Sequence, residues 1–259
     1  MFYNSLDIKT REGGDYMNKR TKAFLSVLFM SITFYMMLET RYVNAIGDYV
    51  IEFIGLKSWT GNNTGTHLTI FYLMPLFIIG IILVKRYAIR DLKIKWRIVI
   101  IVFIGLNTIF TLSTGAIAKN IKSNSEGLLP IGFEQEEDND MEYEFNDGRY
   151  TKFKADIKLT NYSKEDKQFH LMIDNNYDEN LIRLYNLDGS KAIFKLKGKE
   201  TKVFPINLDN YLVKDGDMNE IDYVRGAGSG VITGVIVFDD RGDEVKIDSN
   251  NFFGIRLKR

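Results

Sequence analysis

The apolar residues of this chain are gathered into three long runs, and that bunching limits the possible folds more than any other feature. Residues 23–38, 67–84 and 98–118 contain no Asp, Glu, Lys or Arg. A helix that crosses a bilayer needs roughly 17–25 mostly apolar residues. The second and third runs meet that length directly. The first reaches both interfaces only if Lys22 snorkels and residues 40–42 extend it. In water, three helices apolar all round would each need a deep core, and 259 residues leave little room for one. The reading is therefore three spans at about 23–41, 67–84 and 98–118. A charged lead of 22 residues and the lack of a small-x-small cleavage pattern mark the first run as a retained anchor.

Charge orients the spans. Between the second and third runs lie Lys85, Arg86, Arg90, Lys93, Lys95 and Arg97 against the single acid Asp91. Short basic loops stay in the cytoplasm. These six side chains act as topology determinants, and the N-terminal 22 residues agree, with five bases and three acids. Segments 1–22 and 85–97 are thus expected inside a cell membrane. Residues 39–66 and everything after 118 are expected outside. The overall balance of 34 basic and 34 acidic residues is then a cancellation between compartments, because residues after 115 hold 27 acids and 21 bases. Nothing in that balance suggests a nucleic-acid partner. Abundant lysine, isoleucine and asparagine lean toward a bacterial source.

Within the outer connection, 42–57 places Tyr42, Ile46, Tyr49, Val50, Phe53 and Ile54 at helical spacing, with Asp48 and Glu52 opposite. This reads as an amphipathic helix lying on the outer interface or packed on the C-terminal domain, with Trp59 as an interfacial anchor. No ionisable group interrupts the spans, which favours an anchor over a pore. Asn107 is the candidate for helix–helix packing and for homo-oligomer contacts through the spans.

From about residue 150 the apolar period changes from helical to alternating. In "FKADIKL", Phe153, Ala155, Ile157 and Leu159 share one face. "QFHLMI", "LIRLY", "KAIFKL", "TKVFPINL", "GVITGVIVF", "EVKI" and "FFGIRL" follow, each bounded by turn residues. "LIRLY" and "KAIFKL" suggest a hairpin around Asp188-Gly189. The expected fold class is α plus all-β: a three-helix transmembrane anchor, an acidic spacer over 119–148, and an extracytoplasmic antiparallel β-sandwich of immunoglobulin-like size over 149–259. With no cysteine, no disulfide or thiolate site is available.

Chemistry is sparse. His67 reads as an interfacial cap and His170 as the solvent side of a strand. Asp215, Asp217 and Asn219 begin like a calcium loop, but Glu220 stands where glycine is needed and Gly226 where the bidentate glutamate belongs. "RGAGSGVITG" reads as a flexible turn, and Arg241-Gly242-Asp243 as an ordinary hairpin tip. No catalytic residue and no cofactor are assigned. The expectation is a non-enzymatic membrane protein that displays a β-sandwich to an envelope protein or ligand, with the lipid bilayer as its other partner. The alternatives are an accessory subunit of a larger membrane complex, or an envelope hydrolase working through paired carboxylates.

Overall fold

The computed structural model describes residues 7–61, 65–133, 140–146, 149–174, 181–215, 225–248 and 251–258, with side chains in the first helix from residue 18 onward. These residues form four α-helices, a π-helix and two antiparallel β-sheets, an α+β composition. The chain divides into two compact units, Met1–Ala116 and Ile117–Arg259.

The first unit is helical: α1 (Asp7–Met36), α2 (Ile46–Phe53), α3 (Leu68–Val84) and most of α4 (Trp96–Ser123). Among the described residues, two helical stretches are long and apolar enough to cross a membrane, Leu68–Asp91 with 24 residues and Trp96–Ser123 with 28. The first run differs from expectation, because α1 stops at Met36 instead of continuing to 41. Thr40 accounts for the stop. Its hydroxyl accepts the N–H groups of Tyr42 and Val43 at 3.3 and 3.2 Å, which offers the backbone a turn in place of more helix. The uncharged part of α1 is therefore about 21 Å long at 1.5 Å per residue.

Three helices pack through aromatic rings. Phe34 of α1, Phe77 of α3 and Phe103 of α4 form a triangle with centroids 5.6, 5.2 and 6.4 Å apart. Tyr35 extends the α1–α4 contact, donating to the Thr114 hydroxyl at 2.6 Å. Gly80 lets α1 and α3 approach closely: a Cβ there would sit 3.0 Å from the Cα of Met30. The basic stretch, expected as a loop, begins instead as a π-helix over Lys85–Asp91 that continues α3. The chain then turns at Lys93, whose φ is 54°. The Ile94 N–H closes that turn on the Ala88 carbonyl at 3.0 Å.

The second unit holds the strands. β3 (Arg149–Asn161) organises the first sheet, pairing with β2 (Asp140–Asn146), β1 (Ile131–Phe133) and β7 (Thr201–Asn207). β9 (Arg225–Val231) extends that sheet beyond β2. Pro205 is tolerated because β7 has β3 as its one neighbour among the described residues. The second sheet runs β12 (Asn251–Lys258), β11 (Glu244–Asp248), β10 (Gly234–Phe238), β4 (Lys167–Asp174), β5 (Leu181–Tyr185) and β8 (Leu212–Asp215). β6 (Phe194–Leu196) also pairs with β4. Buried side chains from both sheets join one apolar core, among them Ile157, Leu159 and Ile206 with Leu171, Ile173 and Val235.

Several expectations are corrected here. The segment read as an acidic spacer contributes β1 and β2; Met141 and Phe145 point inward between exposed Glu142 and Glu144, an alternation masked by the density of acids. The turn at Asp188-Gly189 forms, and "LIRLY" and "KAIFKL" pair only next to it, through the Tyr185–Lys191 bridge and the Ala192 N–H to the Leu184 carbonyl at 3.2 Å; the rest of "KAIFKL", β6, pairs with β4 instead. "GVITGVIVF" is two strands in two sheets, broken after Val231. "RGAGSG" is strand, not flexible turn. Gly228 lies opposite Tyr143, and any Cβ there would meet the tyrosine ring at 2.8 Å.

Candidate functional site

In the helical unit, the one tight cluster of titratable side chains among the described residues joins α2 to the start of α3. Asp48, in the first turn of α2, is buried at 4% exposure. Its two oxygens are both engaged: Oδ1 lies 2.6 Å from His67 Nε2, and Oδ2 accepts the Trp59 indole N–H at 3.2 Å. The Trp59 and His67 rings stack with centroids 4.4 Å apart. On the other ring nitrogen, His67 Nδ1 lies 3.9 Å from a Glu39 oxygen. Ser58 donates to Glu52 alongside. His67 therefore occupies the N-cap position of α3 without capping it, since its side chain makes no bond to the helix backbone.

Glu39, Asp48 and His67 each present one ligand atom within 4.8 Å of the others, a donor set that suits a divalent cation. The same atoms already satisfy one another by hydrogen bonding, so the cluster also works as a staple between α2 and α3. Pairing a buried carboxylate with an imidazole and an indole offsets its desolvation. No local sign of this group is legible in the sequence, because Asp48 and His67 stand 19 positions apart. α2 itself faces opposite to a soluble amphipathic helix. Asp48 points into the unit, while Tyr49, Val50 and Phe53 are exposed, Phe53 at 91%.

Asn107 does not bond across helices within the chain. Its Nδ2 donates to the Phe103 carbonyl one turn back at 2.9 Å, and its buried Oδ1 has no hydrogen-bond partner. Among the six basic residues, Arg86 lies over the Tyr87 ring at 5.4 Å.

In the β unit, His170 is buried at 6% exposure, a correction to its expected solvent position. The outer face of β4 is covered at this point. His170 Nδ1 contacts the Ala192 carbonyl at 2.8 Å, Nε2 lies 3.1 Å from Asp240, and the ring packs on Phe238. Asp215 ends β8, whereas Asp217 and Asn219 lie outside the described residues.

The Arg-Gly-Asp turn is engaged internally. Arg241 pairs with Asp239 at 2.9 Å, and Asp243 pairs with Arg256 at 2.9 Å while accepting the Leu128 N–H. A receptor that grips both side chains would find only Arg241 pointing out. Burial alone would raise the Asp239 carboxyl. The N–H groups of Asp243 and Arg241 and the Arg241 guanidinium outweigh that and hold it below the usual carboxylate range. At the end of α4, Lys122 is fully buried, donates to the Phe252 carbonyl and sits 5.0 Å from the Phe252 ring. Its role was not legible in the sequence.

No protein family, characterised protein or solved structure matches the chain.

Proposed function

We propose that this chain is a multi-pass membrane protein in which α1, α3 and α4 form an anchor. In this reading the all-β unit is an extracytoplasmic sandwich of immunoglobulin-like size that binds an envelope protein or ligand without catalysis. The observation that carries the reading is the bareness of the two long helices. Only 22% and 11% of their apolar windows are buried, and Phe71, Ile101 and Leu112 are about two-thirds exposed. An apolar surface that extensive needs lipid or a partner to cover it. The basic residues 85–97 support a cytoplasmic placement for that end, and the core shared by the two sheets supports a sandwich. Both described histidines are held in internal contacts, which favours a binding role over histidine-based hydrolysis.

One observation favours the accessory-subunit reading. Only 11% of the apolar window of α4 is buried, which leaves a face against which a neighbouring membrane helix can pack.

The absence of cysteine makes the topology test clean. Single variants S190C and K93C alter exposed positions in the two regions. A membrane-impermeant maleimide applied to intact cells should label S190C, and should label K93C only after lysis. The reverse pattern overturns the orientation, and an aqueous, detergent-free chain overturns the membrane reading.

A further inference from the structure

The basic stretch was read as an orienting signal, and its surroundings give it a second use. A cavity of about 340 Å³ opens between α1, the π-helix and the start of α4. That lies within the roughly 300–1,000 Å³ of small-molecule sites. Its walls are aliphatic or aromatic, with Val27 from α1, Ala88 from the π-helix and Val99 from α4, and the one charged side chain lining it is Arg20. Phe24, Ile98 and Val102 line the opening and are themselves exposed, so the cavity opens sideways onto the apolar surface of the helices.

Three further features mark this place. The wall contributed by Ala88 belongs to a seven-residue π-helix, a rare geometry often found at functional positions. Lys93 takes a left-handed conformation (φ 54°), where glycine would sit without strain and where this chain carries a cation. Finally, the lining residues Leu92 and Ile94 alternate in sequence with Lys93 and Lys95, so the segment that walls the cavity also bears bases.

We propose that this cavity is a binding site for an anionic phospholipid, with an acyl chain in the groove and its phosphate held by Arg20 and the bases of 85–97. A peptide or soluble metabolite does not suit a groove so poor in polar groups. A zwitterionic lipid would fill the groove but bring no net negative charge to the bases. The inference rests on the membrane reading above.

The test uses the full chain in detergent and native mass spectrometry, with phosphatidylglycerol and phosphatidylcholine of identical acyl chains. At least a fivefold preference for phosphatidylglycerol is expected. R20Q/K93Q/K95Q, which neutralises the lining Arg20 and the two bases next in sequence to the lining residues Leu92 and Ile94, should abolish the preference and leave the chain folded by circular dichroism. V102W, which fills the mouth from an exposed position, should lower binding of both lipids severalfold. Glycerophosphate, the headgroup without its chains, should not displace the lipid at equal concentration. Equal binding of the two lipids overturns the proposal, as does a preference that survives the triple variant, unchanged binding of both lipids by V102W, or displacement by glycerophosphate. A chain that stays in water without detergent instead overturns the membrane reading. A chain that incorporates into micelles but shows no headgroup preference overturns only the lipid site.

Discussion

Asn161 offers the sharpest test of what holds the β unit together. It is fully buried at the end of β3. Its Nδ2 donates to the carbonyls of Glu165 at 2.7 Å and Lys197 at 3.0 Å. Its Oδ1 accepts from the Ser163 N–H at 3.0 Å and the Ser163 hydroxyl at 2.8 Å. One side chain thus ties the strand end to the following loop and to the segment after β6. N161A leaves the buried Ser163 N–H without its acceptor, while the Ser163 hydroxyl and the Glu165 carbonyl keep each other and the Lys197 carbonyl keeps the Glu200 N–H. One unsatisfied buried donor at about 1–3 kcal/mol, with the other bonds lost, gives about 2–4 kcal/mol. For a unit of this size each kcal/mol lowers the melting temperature by about 2–4 °C, so a drop of about 5–15 °C is expected. The assay is thermal unfolding of the full chain in micelles, followed by the circular dichroism of the sheet. N161D adds a pH signature. Its carboxylate keeps both contacts to Ser163 but faces two carbonyls, so burial and repulsion raise its folded pKa above the unfolded value of about 3.9. The penalty is absent below that value and grows as pH rises through the folded pKa. N161D should therefore recover relative to N161A between pH 7 and pH 4. A melting point for N161A within about 3 °C of the wild type, or no such recovery, would refute the reasoning.

Three further outcomes are expected. Asp239 has its carboxyl held down, so it contributes stability above the unfolded value of 3.8 that is lost as pH falls through the folded pKa. D239N should cost about 1 kcal/mol or less at pH 6, and progressively less as pH falls below 3.8 through the folded pKa, in urea midpoints. G80V should push α1 from α3 at Met30 and lower the heat resistance of the helical unit by about 1–3 kcal/mol, read by melting in micelles. D48A removes the acceptor shared by Trp59 and His67, costing about 1–3 kcal/mol and shifting the Trp59 emission to longer wavelength. An unchanged spectrum would mean that the cluster does not hold the indole.

The sequence shows what periodicity and charge encode, and little of what distant residues do together. Alternation in 153–159 and 168–173 placed Phe153, Ile157, Phe169 and Ile173 in the core correctly, because a half-buried strand repeats every two residues. The same rule failed at His170, since β4 is covered on both faces by segments far along the chain. It failed at β9, whose glycines face Met141, Tyr143 and Phe145 of β2 only once the sheet has formed. The apolar runs marked α3 and α4, but the end of α1 depended on a local turn at Thr40. The Asp48–His67–Trp59 group joins residues from three separate stretches, and no spacing rule connects them. The lipid groove had half a signature, the bases, while its apolar walls come from three helices.

The division into two units has a consequence for how the protein responds to temperature. Among the described residues the β unit buries 23 apolar side chains away from water in a single core. Its unfolding carries a heat-capacity increment of roughly 12–15 cal/mol/K per residue, which bends its stability curve and weakens it on cooling as well as on heating. Helices associating in lipid release no comparable hydration water, so their contacts lack that curvature. In the proposed bilayer, calorimetry should assign the baseline step almost wholly to the strands. Chilling would then loosen the β unit and leave the helical unit intact.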